Sequence, residues 1–385
     1  MKPRLDSTTN NLIHMLQSNG FSAYAVGGCI RDGIMGREIT DIDITTSALP
    51  KQVKEVFSHY TTIDTGIKHG TVTVLVNGTP YEITTYRTES TYTDSRHPDS
   101  VTFVSDIKTD LSRRDFTMNA IAYNEKEGII DPFNGVADIE NKLIRTVGDP
   151  SKRFQEDSLR ILRALRFSSV LGFEIEEETA KAINYLAHTV NNVSVERIYV
   201  EIKKLLCGKN AREVLKKFAP ALNEIIPING DISRLSVLPN DFPMRLSYLC
   251  GESTEEALTK LRADNNTKRL CKLILTSTPI PKDEIEIRFY ISNLGREDTS
   301  YVLKYRKAIF GEDKSDLCEK ILNQNLCLSV GELKINGNDI LSLGIQGKLI
   351  PKAQKFLLSS VIKEEIPNQR EVLLETLKNL DISVL

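Results

Sequence analysis

Two periodicities predict the fold class, an α+β head built on a mixed sheet with helices, followed by a long all-α extension. Helical and strand-like patterns alternate from about residue 6 to residue 147, and from Ser151 onward the pattern is almost wholly helical. A chain of 385 residues also exceeds a typical single core, so roughly two to four domains are expected.

The elements follow in order. Leu12, Ile13, Met15 and Leu16 suit an amphipathic first helix that ends near Asn19-Gly20. Tyr24-Ala25-Val26 reads as a short strand and residues 41–44 as another. Residues 71–76 and 80–87 flank Asn77-Gly78, a hairpin signal because both residues tolerate positive φ. Beyond Ser151, turns such as Asn192-Val193-Ser194-Val195-Glu196 divide successive apolar-periodic segments. Pro227, Pro239, Pro243, Pro279 and Pro281 mark helix ends or linkers. The sequence contains no low-complexity tract and no repeat of fixed period.

Composition narrows the class. A hydrophobic content of 40% with 26% charged residues is that of a soluble globular protein. The cysteines Cys29, Cys207, Cys250, Cys271, Cys318 and Cys327 never form a Cys-x-x-Cys pair, which speaks against a disulfide framework or zinc site and for a cytoplasmic location. No apolar run approaches the roughly 18 residues of a membrane span, so no membrane is expected as a partner. The net charge of −2 excludes a generally basic nucleic-acid coat but leaves room for a local basic groove.

Four polar constellations carry the chemistry. In Gly27-Gly28-Cys29-Ile30-Arg31-Asp32, two glycines between a strand and a helix allow backbone amides to approach a phosphate, with Arg31 adding charge; a plain tight turn is the competing reading. In Asp41-Ile42-Asp43-Ile44 the strand period of two puts both carboxylates on one face, which suits a divalent cation such as magnesium, or else a solvated strand end. Polymerase-type phosphoryl transfer uses such a pair, often with a third carboxylate, for which Glu82 is the candidate; an exposed strand glutamate is its alternative.

In Arg113-Arg114-Asp115-Phe116-Thr117-Met118-Asn119-Ala120, the arginines offer forks for phosphate or ribose oxygens. Asp115 and Asn119, four apart, would share a helical face, unless Asp115 only caps a helix. On a single helix over residues 153–167, Arg153, Glu156, Asp157, Arg160 and Arg163 fall within about 120° of arc, a polar stripe on an otherwise apolar cylinder. A solvated ion-pair face is the default for such a stripe. Against it stands the pairing logic of Asp157 and Arg160. A carboxylate can accept from the exocyclic amine of cytosine or adenine while a guanidinium donates to the neighbouring ring nitrogen. Guanine and uracil present the opposite polarity and would leave buried polar groups unpaired.

The order Gly-Gly-x-x-Arg-Asp, Asp-x-Asp, Arg-Arg-Asp-Phe-Thr-x-Asn-Ala and Glu-Asp-x-x-Arg-x-x-Arg-Ala-x-Arg-Phe resembles the class II tRNA nucleotidyltransferase and bacterial poly(A) polymerase family of the DNA polymerase beta superfamily. The likeness covers residues 22 to about 205. It implies a nucleotidyltransferase head over residues 1–147, a base-recognising helical neck over 148–208, a helical body over 209–328 and a tRNA-binding helical tail over 329–385.

Residue by residue, it implies that Asp41 and Asp43 bind magnesium and that Gly28 and Arg31 bind the triphosphate. Arg114 would contact sugar or phosphate, with Asp115 and Asn119 completing that motif. Asp157 and Arg160 would read the base, Glu156 would orient them, and Arg163 and Arg166 would support the nucleotide.

The activity implied is template-independent addition of CCA to tRNA from CTP and ATP. Partial CC or A addition and poly(A) synthesis are the alternatives within the family, and a non-catalytic nucleotide- or RNA-binding module is the rival outside it. Residues 88–99 resemble the flexible loop of CCA-adding members, and Ile335-Asn336-Gly337-Asn338-Asp339-Ile340 resembles their tail, where Lys348, Lys352 and Lys355 could meet backbone phosphates. No protein partner is evident from the sequence.

Overall fold

The computed structural model describes residues 3–39, 41–64, 66–89, 101–311 and 315–381. They divide into two compact units, one formed by Met1–Ile232 with Glu252–Ala263 and one by Ser233–Gly251 with Asp264–Leu385.

The first unit opens with α1 (Ser7–Ser18), capped by Asp6, whose carboxylate accepts from the Thr9 amide at 2.8 Å. Buried β1 (Ala23–Val26) leads into α2 (Gly28–Ile34), then β2 (Asp43–Thr46), α3 (Pro50–Val56) and β3 (Thr61–Ile63). The hairpin strands are β4 (Thr71–Val76) and β5 (Thr79–Thr85). Asn77 and Gly78 both take positive φ between them, as the sequence requires. After β6 (Arg87–Glu89), β7 (Val101–Phe103) and α4 (Ile107–Ser112) come β8 (Ala122–Asn124) and β9 (Gly128–Ile130). The expected loop at residues 88–99 lies mostly outside the described residues, which omit 90–100.

A seven-stranded mixed sheet runs β3-β4-β5-β2-β1-β8-β9, with β2 and β5 parallel and the other neighbours antiparallel. The strand expected at residues 41–44 begins two residues later. Asp43 pairs with Val26, the last residue of β1, and Gly27 then turns away at φ 79°, so Asp41 and Ile42 have no strand partner there. Behind the sheet, Tyr24, Val26, Tyr86, Leu111 and Ala122 form an apolar cluster.

Three helices position the rest of the site: α5 (Gly135–Glu140), α6 (Pro150–Glu156) and α7 (Leu159–Leu171). The single helix expected over 153–167 is broken. Asp157 adopts extended backbone at φ −147° and ψ 102°, and its side chain takes the Leu159 amide at 3.1 Å. A short acidic side chain that captures a nearby amide offers the backbone an alternative to the helix, and here that alternative wins. The remaining helices of this unit include α8 (Glu177–Leu186), α9 (Val195–Leu206) and α10 (Ala211–Asn223), the last kinked at Phe218 ahead of Pro220.

The second unit is helical throughout its described residues, with a core that includes Ile287, Ile291, Leu303, Ile321, Ile340, Leu357 and Leu373. Among the described residues no helix is long and apolar enough to cross a membrane.

Candidate active site

The sheet register gathers the carboxylates. Asp43, the first residue of β2, lies between Val26 at the end of β1 and Glu82 in the middle of β5, so register sets it beside both the glycine turn and Glu82, with exposed Asp41 two residues before. Asp43 is exposed at the start of β2, yet partial desolvation by its surroundings raises its carboxyl above the ordinary range; Arg114 opposes that rise and Asp41 reinforces it. Glu82 stands beside Asp43 in register, yet no three His, Cys, Asp or Glu side chains converge as a metal-binding group among the described residues. The pair Asp41 and Asp43 by itself suits magnesium, a hard cation that uses one or two carboxylates and fills its shell with phosphate oxygens and water. Cys29, buried beside this turn, donates its thiol to the Val26 carbonyl at 3.1 Å, and burial pushes it up to about 11, which makes it inert.

Backbone geometry places the glycine requirement on Gly27 rather than on Gly28. At φ 79° and ψ −133° Gly27 occupies a region closed to other residues, and a Cβ there would lie 2.9 Å from Nη1 of Arg114. Gly28 is the first residue of α2.

The helical face expected to carry both Asp115 and Asn119 does not form. Arg113 ends α4, Asp115 is non-helical, and only Thr117–Asn119 forms a 3₁₀ turn. Asp115 and Asn119 meet nonetheless, Asn119 Nδ2 donating to Asp115 at 3.1 Å. Asn119 accepts from Arg31 at 2.7 Å, and Asp115 accepts from its own neighbour, the Phe116 amide, and from Arg163 at 2.7 Å. Burial would raise the Asp115 carboxyl, but Arg163 and the hydrogen bond from Asn119 outweigh it and hold the group at about 2. Arg163 is raised in turn, chiefly by Asp115. Phe167 packs beneath the guanidiniums of Arg166, Arg31 and Arg163, at 3.8, 5.1 and 5.5 Å. Arg166 is tied to Glu201 of α9 at 2.5 Å.

The break between α6 and α7 reorganises the expected stripe. Glu156 accepts from Arg153 at 2.8 Å and from Arg160 at 2.5 Å, bridging the two helices. Arg160 also donates to the main-chain oxygens of Arg153 and Arg113. Asp157 faces α9, where Arg197 donates to its Oδ2 at 2.8 Å. Asp157 and Arg160, together with Arg113, Arg114, Arg163 and Arg197, line one cleft of about 270 Å³. Five arginines against two aspartates give the cleft lining an excess of positive charge. Two buried donors on these side chains, Nε of Arg114 and Nη1 of Arg197, have no hydrogen-bond partner among the described residues.

Arg197 and Phe167 carry no role in the sequence reading, yet the structure places both at the site. Arg197 and Glu201 sit four apart on α9, and that spacing was the available signal.

Comparison with known proteins gives a consistent result. Residues 23–145 match the family model described as the poly A polymerase head domain, and residues 172–219 match one described as a probable RNA and SrmB- binding site of polymerase A. A CCA-adding enzyme of Ligilactobacillus salivarius is 37% identical over 390 residues, spanning 96% of this chain and 95% of that one. One from Lactobacillus delbrueckii subsp. bulgaricus is 38% identical over 385 residues, spanning 95% and 96%. The crystal structure of the Bacillus stearothermophilus CCA-adding enzyme in complex with CTP superposes with a TM-score of 0.80 at 34% identity, covering 96% of this chain and 95% of that one.

Proposed function

The chain belongs to the CCA-adding enzymes, and we infer from its site how its own residues perform that reaction. It is a nucleotidyltransferase that adds CCA to the 3′ end of tRNA, with CTP and ATP as substrates. The observation that carries the residue assignment is the single cleft that holds the base-reading candidates Asp157 and Arg160 together with Arg114.

Asp41 and Asp43 would hold magnesium, with Glu82 beside Asp43 as the candidate third carboxylate; the cation would screen the triphosphate and favour the deprotonated tRNA 3′-hydroxyl. That hydroxyl attacks the α-phosphate in line and pyrophosphate leaves, with no covalent enzyme intermediate. Gly28, at the start of α2, and Arg31 bind the triphosphate, and Arg114, which lines the cleft, meets sugar or phosphate oxygens. Asp115 and Asn119 fix Arg31 and Arg163 in place, and Arg166 supports the same wall through Phe167.

Asp157 and Arg160 read the base, and Glu156 orients Arg160. A carboxylate has about four acceptor positions. The amide of Leu159 and Arg197 occupy two on Asp157, which leaves acceptor capacity for an exocyclic amine. Along the chain the reading is a head over 1–147, a neck over 148–208, a body over 209–328 and a tail over 329–385, in which exposed Lys348, Lys352 and Lys355 would meet tRNA backbone phosphates. Six free cysteines support a cytoplasmic location.

The test is extension of tRNA transcripts ending at the discriminator base, at C or at CC, with magnesium and each nucleoside triphosphate singly and together. A stop at complete CCA is expected. Arrest at CC, addition of A alone or an unlimited A tail would replace this reading with a partial or poly(A) activity. Asp43→Ala should abolish addition while tRNA binding persists; retained turnover would remove the metal assignment.

A further inference from the structure

Asp110 on α4 is wholly buried, and no step of the reaction described above uses it. A buried carboxylate is costly unless its oxygens are paired, so its partners disclose its purpose. Oδ1 accepts from Nε of Arg113 at 3.0 Å and from the Arg87 amide at 3.2 Å. Oδ2 accepts from Thr45 Oγ1 at 3.4 Å and lies 3.8 Å from Nη2 of Arg114. The spacing is i+3 and i+4 at a helix end, which brings both arginines over one carboxylate. Thr45 is two residues beyond Asp43 on β2, and the main-chain oxygen of Arg113 receives Arg160 at 3.2 Å.

We propose that Asp110 is a positioning residue for nucleotide binding, holding the Arg113–Arg114 pair at the cleft wall and tying it to the strand that carries Asp43. One corner of the Arg114 guanidinium faces Asp110, a second passes over Gly27, and the side chain lines the cleft beside Arg160 and Arg163. Without the carboxylate, two adjacent guanidiniums would repel each other and Arg114 would lose its orientation. Because the cleft wall serves every incoming nucleotide, the effect does not depend on the base. The inference rests on the assignment of Arg114 as a nucleotide contact.

The test is a double-mutant cycle of Asp110→Asn and Arg114→Ala in the full chain, read by KM and kcat for CTP and for ATP on matched tRNA transcripts, with melting temperature in parallel. Asp110→Asn keeps the shape and an acceptor for the Arg87 amide but removes the charge. It should raise both KM values by the same factor of about ten, the weight of a charged hydrogen bond, with kcat changed less and base choice preserved. In the Arg114→Ala background it should add nothing further to KM. A merely structural role predicts losses that multiply, or a fall in kcat and melting temperature with KM unmoved, and either result would overturn the proposal. An unchanged KM in Arg114→Ala alone would overturn the Arg114 assignment and this inference with it.

Discussion

Replacement of Arg197 by Met isolates the most consequential contact that the structure adds to the base-reading site. Arg197 Nη2 meets Asp157 Oδ2 at 2.8 Å with side chains 25% and 14% exposed, while the Leu159 amide fixes the other oxygen. A hydrogen bond to a charged group at such a site contributes about 1.5–3 kcal/mol. If that free energy holds Asp157 in its reading orientation, its loss should lower kcat/KM for CTP and ATP by about 10- to 150-fold. Discrimination against GTP and UTP should narrow at the same time, since a carboxylate free to rotate no longer imposes an acceptor on the base. The assay is single-nucleotide incorporation on transcripts ending at the discriminator base and at CC, with all four triphosphates. Met retains much of the apolar stem, which limits the packing loss against α7. An equal loss for all four triphosphates would reassign Arg197 to phosphate binding, and unchanged kcat/KM with full selectivity would refute the orienting role altogether.

Three further outcomes are expected. Gly27→Ala should cost about 1–3 kcal/mol of backbone strain and displace Arg114, lowering the melting temperature and raising KM for both nucleotides. Gly28→Ala, whose Cβ would meet Arg31 at an ordinary 3.5 Å, should leave the melting temperature unchanged, and equal destabilisation by the two would contradict the geometry. Asp115 is depressed from 3.8 to about 2 in the fold, so its contribution of about 2 kcal/mol is present above pH 4 and is lost as pH falls toward 2. Urea titrations of the wild-type chain and Asp115→Asn should therefore converge over that range, and a constant gap would show that the carboxylate charge is not the cause. Arg160→Gln should relax base choice more than it weakens triphosphate binding; strict retention of CTP and ATP selectivity would refute its role in reading the base.

The sequence by itself determined much of this protein. Periodicity and Asn77-Gly78 located the first helix, the hairpin and the change to helices after Ser151, because these signals are local and repeat along the chain. Motif order identified the family, and the residues it marked include Arg114, Asp157, Arg160 and Arg163, which line one cleft. Where a residue's conformation depends on a distant partner, local reading failed. The helix over 153–167 broke at Asp157 because its side chain captures the Leu159 amide and Arg197, 40 positions away, holds that carboxylate in place. Glu82 and Asp43 became neighbours only through strand register, and the demand for glycine fell on Gly27 because its backbone takes φ 79° and Arg114 crosses it. Asp110 shows no motif of its own beyond its spacing from two arginines, and its burial between β2, β6 and α4 is a product of tertiary packing. Hydrogen bonds and charges act over a few ångströms in space irrespective of separation along the chain, so the identity of the reacting groups could be read from the sequence, while their orientation was decided by the fold.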